Sequence, residues 1–254
     1  MTEEIGGRGD PVKVLELLWG RAESGKRGPK ARVGLADLVA AAVAIADAEG
    51  LSAVSTRRVA EAVGISPMSF YTHVPGKAEL LDLMMDAVAV GEPDDPSPPS
   101  DTDWRIRMTF VAETLWRHYL RHPWVLDLAT HRPVLGPNTV AAYEFALSAV
   151  DGLGLTEIEM DMTVTVLANF VHGAVRDAAR GRMVDEVTGM SDEEWWRRIE
   201  PFLETLDYTP YPVASRVGPV AGETYGVGDP QRAFRFGLDR LLDGLALFIE
   251  GKRR

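Results

Sequence analysis

The segment Thr56 to Lys77, TRRVAEAVGISPMSFYTHVPGK, restricts the fold more than any other part of the chain. A short helix fits Thr56 to Val63, with Ser55 placed to cap it, and Gly64 then turns the chain. Ser66-Pro67 supplies the next helix with a cap and with a first residue whose missing N–H costs nothing there. Val59, Ala60 and Val63 can pack the first helix, and Ala60 is small enough to admit close approach of the second. Ile65 and Phe70 fill the space between them, leaving Ser66, Met68, Ser69, Tyr71 and Thr72 on the exposed end or side of a very short helix. A short, well-braced helix suits the major groove of DNA, and its N-terminal amides and hydroxyls suit phosphates. A helical hairpin with a purely structural role has the same spacing, so spacing alone leaves both readings open.

The flanking periodicity extends this motif into a domain. From Leu35, Leu38, Ala42, Ile45 and Ala46 share one helical face, and Gly50 supplies a stop. Downstream, Leu80, Leu81, Leu83, Met84, Ala87 and Val88 give a broad apolar face to a helix from Gly76 to about Val90. Gly91 to Ser100 holds four prolines and three acidic residues, a composition that favours a linker. Beyond it, helices are predicted near 102–120, 123–129, 138–152, 156–180, 191–206 and 231–250, and strand signals are weak throughout. Residues 207–230, rich in Gly, Pro and Tyr, read as a long irregular segment. The expected fold is all-α, with an N-terminal three-helix helix-turn-helix domain over 35–90 and a larger helical ligand-binding and dimerisation domain over 102–250. Residues 11–19 allow a short helix, but 1–34 as a whole reads as a flexible basic extension.

Charge at first opposes a nucleic-acid partner, because the 254-residue chain carries a formal net charge of -11. The average hides an asymmetry. Residues 21–32 carry Arg21, Lys26, Arg27, Lys30 and Arg32 against Glu23 alone, a net +4. Residues 91–254 carry 17 basic and 26 acidic side chains, so most of the negative charge can lie away from a DNA-binding end. The sequence contains no cysteine, which removes disulfide frameworks, thiolate nucleophiles and cysteine-ligated zinc and suits a reducing cytoplasm. Neither a signal peptide nor a membrane span is suggested, so a cytoplasmic location without membrane association is expected. No glycine-rich phosphate loop, nucleophile elbow or paired-carboxylate motif stands in a convincing context, and catalytic residues are not expected.

The run Thr56-x-x-x-Ala60, then Gly64-Ile65-Ser66, then Tyr71-x-His73 and Lys77, resembles the DNA-binding domain of the TetR family over roughly Leu35 to Val90. That resemblance implies that Thr56, Tyr71, His73 and Lys77 contact phosphates and that the helix from Pro67 to Thr72, with Ser66, Met68 and Ser69, reads bases. Met68 stands where a smaller residue is frequent, and Val74 replaces the usual aromatic. Upstream, DPVKVLELLWG and RGPKARVGL resemble the leader of a TetR subgroup with an arm before its first helix, which adds Lys30 and Arg32 to the expected DNA contacts. Downstream, RHPWVLDLATHRPVLGP and FRFGLDRLLDGL resemble the tetracycline-repressor-like C-terminal domain of that subgroup. The implied function is a repressor that binds a palindromic operator in double-stranded DNA as a homodimer and is released by a small aromatic or hydrophobic effector. The rival readings are a helical ligand-binding or assembly protein without operator-specific DNA binding, and, behind it, an enzyme.

An effector cavity in such a domain needs apolar walls and a few oriented polar groups. Trp104, Met108, Trp116 and Tyr143 are candidate walls, with Phe110, Tyr119, Trp124, Phe145, Met162, Leu167 and Phe170 further aromatic or apolar supply. His122, Asn169 and His172 are the candidate polar contacts. His118 and His122 are four residues apart, but Pro123 marks a helix boundary and no third ligand is evident, so no metal or other cofactor is expected. The last helix repeats Phe234, Leu238, Leu241, Leu245 and Phe248 at intervals of three and four, and the helix near 156–180 offers Ile158, Met162, Val166 and Phe170. These two stripes are the expected dimer interface.

Overall fold

The computed structural model describes residues 9–21, 33–91, 94–98, 103–128 and 132–252, and for 180–188 the helical backbone alone. Among the described residues every regular element is helical. In chain order these are α1 (Pro11–Leu18), α2 (Leu35–Glu49), α3 (Thr56–Ala62), α4 (Pro67–Phe70), α5 (Lys77–Val88), α6 (Trp104–Arg121), α7 (Pro137–Ser148), α8 (Glu157–Thr188), α9 (Asp192–Leu203), α10 (Pro212–Tyr225) and α11 (Pro230–Lys252), with 3-10 turns at Leu51–Ala53 and Pro123–Asp127. Among the described residues no helix is long and apolar enough to cross a membrane.

The first unit is built by short-range rules and closed by packing. Ser55 caps α3 by accepting from the Arg58 amide at 3.2 Å, and Ser66 caps α4 by accepting from the Ser69 amide at 3.1 Å. Between them Gly64 has φ +74°, a left-handed conformation that a side chain would strain. Leu38, Ala42, Val59, Ala60, Phe70, Val74, Leu80 and Met84 are fully buried together and brace the four-residue α4. Val74 fills a core position here.

Helix α1 is not part of a free arm. Asp10 caps it, Val14 is buried, and Leu17 and Leu18 pack on the same core as α5. The Asp10 amide donates to Glu79 Oε1 at 3.2 Å, and the Trp19 indole donates to the Leu135 carbonyl at 2.9 Å. The apolar residues at spacings of three and four find a partner in α5, which overrides the expectation of a flexible segment for this stretch.

The second unit centres on α6, α8 and α11. Met108, Ala112 and Trp116 of α6 meet Leu167, Val171 and Val175 of α8 and Phe234, Leu238 and Leu242 of α11. Trp116 stacks on Phe234 with ring centroids 4.5 Å apart, and Phe234 lies over Phe170 at 5.9 Å. The 3-10 turn crosses the unit boundary: Trp124, Val125 and Leu128 are buried in the core of the first unit.

One expectation fails within 207–230, where α10 forms a helix across Gly218, Pro219 and Gly222. Pro212 stands in its first turn, where no N–H is needed, and Pro219 removes a single interior hydrogen bond while the remaining ladder continues. Neither α9 nor α10 buries a residue within the chain.

Candidate nucleic-acid interface and interdomain cavity

The outer face of α4 carries the expected DNA contacts in distinct states. Met68 is 76% exposed and Tyr71 50% exposed, while Phe70 between them is fully buried. Pro67 and Thr72 are exposed, and Ser69, Thr56, His73 and Lys77 are half-buried. The Thr56 hydroxyl lies 3.2 Å from the Tyr71 hydroxyl, so α3 and the end of α4 present their oxygens as one pair. The Ser66 and Ser69 hydroxyls are 2.9 Å apart, and the Thr72 hydroxyl donates to the Ser69 carbonyl at 2.6 Å. Ser69 is therefore engaged in holding the turn, whereas Met68 projects freely. Lys77 opens α5, six residues beyond Tyr71. On α3, Arg57 pairs with Glu61 and Arg58 with Glu49, which neutralises those cations inside the unit. Lys30 and Arg32 lie outside the described residues.

A cavity of about 500 Å³ lies between the two units. Met85 and Val88 of α5 with Ala89 just past its end form one wall, and Val111, Thr114, Leu115, His118 and Tyr119 of α6 form another. The 3-10 turn adds Val125, and α7 adds Asn138, Thr139 and Phe145. The α6 residues recur at three and four, so this helix turns one apolar face to the α8–α11 core and a second, hydroxyl- and imidazole-bearing face to the cavity. Burial, reinforced by the charges of His122 and Arg121, pushes His118 down to about 4, so it presents a neutral imidazole near neutral pH. Burial also raises Tyr119. Arg121 at the cavity edge is held by Asp95 at 3.2 Å. A largely apolar chamber that carries the neutral His118 imidazole and the Thr114 and Thr139 hydroxyls, with Arg121, Asp95 and Arg132 also in its lining, suits a mostly apolar molecule carrying hydrogen-bonding oxygens.

Of the residues expected to touch a ligand, His122 lines this cavity; Tyr119 and Phe145, named above as further supply, do so too. The others lie elsewhere. Met108 and Trp116 are buried in the α6–α8–α11 core, and Trp104 packs at its edge. Tyr143 is 43% exposed and donates to Asp161 at 2.7 Å, tying α7 to α8 outside the chamber. Asn169 is exposed on α8, and His172 meets the edge of Tyr119 at 5.6 Å without lining the cavity. The amphipathic pattern shows that α6 is buried but not which buried face meets a neighbour and which meets empty space. A threonine and a histidine, Thr114 and His118, set four apart in an apolar stripe were the available signal.

The expected dimer stripe also divides. Phe234 and Leu238 are each 3% exposed within one chain, so these two belong to the internal core and not to a surface, while Phe170 is half-buried and stacks on Phe234. Leu241 and Leu245 are half-buried against the same core. Ile158, Met162 and Val166 on α8 and Phe248 on α11 are exposed, and Phe236 and Leu247, which the sequence pattern passed over, are the most open apolar residues of α11. Gly173 and Gly244 lie exposed on the same two helices.

Residues 38–84 match the domain described as bacterial regulatory proteins, tetR family, and residues 95–249 match the tetracyclin repressor-like C-terminal domain. Over 253 residues, 99% of this chain and 92% of the relative, the chain is 39% identical to the HTH-type transcriptional repressor DrrR1 of Streptomyces coeruleorubidus. Among solved structures, it is similar to the TetR family protein ActR of Streptomyces coelicolor in complex with actinorhodin, with TM-score 0.68 and 27% identity across 85% of this chain and 96% of that one. The complex of the same protein with (S)-DNPA matches with TM-score 0.65 and 27% identity, covering 85% of this chain and 98% of that chain.

Proposed function

Because this chain belongs to the tetR family of bacterial regulatory proteins, we propose that it is a DNA-binding transcriptional repressor that a small aromatic or hydrophobic effector releases from a palindromic operator. The observation that carries the effector half of this reading is the position of the cavity. One of its walls is α5, which shares a buried core with Phe70 of α4, so an occupant bears directly on an element of the DNA-binding unit. DNA and effector then oppose one another reciprocally if they favour different placements of α5. Thr56, Tyr71, His73 and Lys77 are assigned to phosphates, Met68 with Pro67 and Thr72 to the groove, and Lys30 and Arg32 to an arm that follows the duplex. Two copies pair through the exposed apolar face of α8 and α11, which sets two α4 helices on one side of a duplex. The protein acts in the cytoplasm, where its DNA is.

Selection of bound sequences from a random duplex library, using the full chain, tests the DNA half. A recovered palindrome is expected; recovery of no preferred sequence overturns it. Titration of actinorhodin into the complex with the selected duplex tests the effector class, with release expected. Failure of actinorhodin and of a panel of planar aromatic compounds both to release the duplex and to shift the melting of the free protein overturns that half.

A further inference from the structure

The start of α7 is an N-terminus capped by a different unit of the protein. Its flanking residue, Gly136, offers no side chain to the exposed amides of the first turn. Asp86, on α5, supplies what is missing. Its Oδ1 accepts from the Thr139 amide at 2.9 Å and from the Thr139 hydroxyl at 2.7 Å, and the side chain is buried, 3% exposed. A Cβ at position 136 would stand 2.2 Å from that same oxygen, so the approach of α5 to α7 depends on the glycine's missing side chain. The residues around this contact on both helices line the cavity: Met85 on α5 and Ala89 just past its end, Asn138 and Thr139 on α7. One residue upstream, the Leu135 carbonyl is held by Trp19, at the end of the helix that leads into the basic stretch.

We infer that Asp86 is a positioning residue that couples the cavity to the DNA-binding face, by fixing the first turn of α7 to α5. The inference rests on the reading of the protein as an effector-released DNA binder. Asp86 lies nine residues along α5 from Lys77, about 14 Å of continuous helix, so the two ends of α5 move together. An occupant of the cavity that parts α7 from α5 must break or re-aim the Asp86 contact. Conversely, a duplex that holds Lys77 and α4 holds α5, and through Asp86 it holds the first turn of α7. Asp86 itself touches neither ligand, and its part is to make the placement of one helix dependent on the other.

The reverse direction of this coupling can be read without any effector. Hydrogen exchange of the full chain is measured without DNA and with the selected operator duplex at a concentration that saturates the protein. In the wild type, operator binding is expected to slow exchange at least threefold in peptides covering 137–145, far from the duplex. In Asp86→Ala this operator-dependent difference is expected to vanish while the slowing in the α3–α4 region persists. Asp86→Asn, which keeps an acceptor oxygen, is expected to restore it. If Asp86 merely stabilises α7, exchange there rises equally with and without the duplex and the difference between the two survives, which overturns the inference. Should Asp86→Ala fail to fold, Thr139→Val removes the hydroxyl donor and keeps the amide; a reduced difference is expected, and an undiminished one overturns the inference. A chain that selects no duplex fails at the DNA-binding reading, a result distinct from a bound duplex that leaves α7 unchanged.

Discussion

Asp47, on α2, accepts the indole N–H of Trp124 at 2.7 Å, so the first long helix of the DNA-binding unit is held by a residue that the chain reaches only after the proline-rich linker. The same Oδ1 lies 2.8 Å from His122 Nδ1. Trp124 and His122 are 1% and 4% exposed, so neither can turn to water if the carboxylate is lost. Asp47→Ala is expected to cost about 1–3 kcal/mol, the penalty for leaving buried polar groups unpaired. In a chain of this size that lowers the melting temperature by roughly 2–12 °C, measurable by scanning calorimetry. Asp47→Asn, which retains one acceptor, should recover part of the loss; equal melting of wild type and Asp47→Ala would show that the contact carries no stability.

His118 makes stability depend on pH in a defined direction. Its folded value is about 4 against an ordinary 6.5, the depression arising first from burial and then from His122 and Arg121. Between those values the unfolded chain takes up a proton that the folded protein refuses. The contribution is therefore fully present above about pH 6.5 and is lost as pH falls toward 4, at up to about 1.4 kcal/mol per pH unit. Urea denaturation across this range should show a shallower pH dependence for His118→Gln than for the wild type. Parallel profiles would assign the acid sensitivity to other groups.

The α4 face predicts three separable effects on operator binding. Lys77→Ala should weaken binding to every duplex and reduce the log-log salt slope by about 0.9, the contribution of one phosphate in B-DNA. Tyr71→Phe removes the hydroxyl paired with Thr56 and should weaken all duplexes with little change in that slope. Met68→Ala, at a side chain of α4 that is 76% exposed, should alter the ranking of duplexes. Fluorescence titrations against selected and scrambled duplexes at several salt concentrations distinguish them, and identical losses from all three would abolish this division of roles.

The proposed pairing of two copies can be separated from folding because the apolar residues of α11 face two ways. Met162→Glu combined with Leu247→Glu places charges on residues that are 49% and 72% exposed in one chain, and should give a folded monomer. Leu238→Ala, at a residue 3% exposed, should instead lower stability by roughly 2–5 kcal/mol and leave the association state of the folded protein unchanged. Sedimentation velocity with circular dichroism reads both. A double glutamate variant that stays fully dimeric would place the interface elsewhere.

The helix-turn-helix was legible because its determinants are local. Ser55 and Ser66 cap within three residues, Gly64 turns where φ is positive, and the apolar spacing of α2 and α5 requires no knowledge of what they meet. The same local logic located most of the later helices, and it failed at α10, where Gly218 and Pro219 lower the helical preference without ending the helix. The cavity was only partly visible. Met108 and His118 both lie on α6 within an apolar pattern, and which one meets α8 and which meets an open chamber depends on where α5 and α7 arrive. The α11 stripe posed the same problem, since Phe234 and Phe236 are equally apolar and only Trp116 and Phe170 decide which is inside. Sequence by itself therefore determined the helices, their caps and the DNA-binding motif, because hydrogen bonds and side-chain periodicity act over a few residues. Tertiary structure alone decided the cavity walls, the outward face of α8 and α11, and the contact of Asp86 with Thr139, because burial and enclosure are properties of segments brought together from distant parts of the chain.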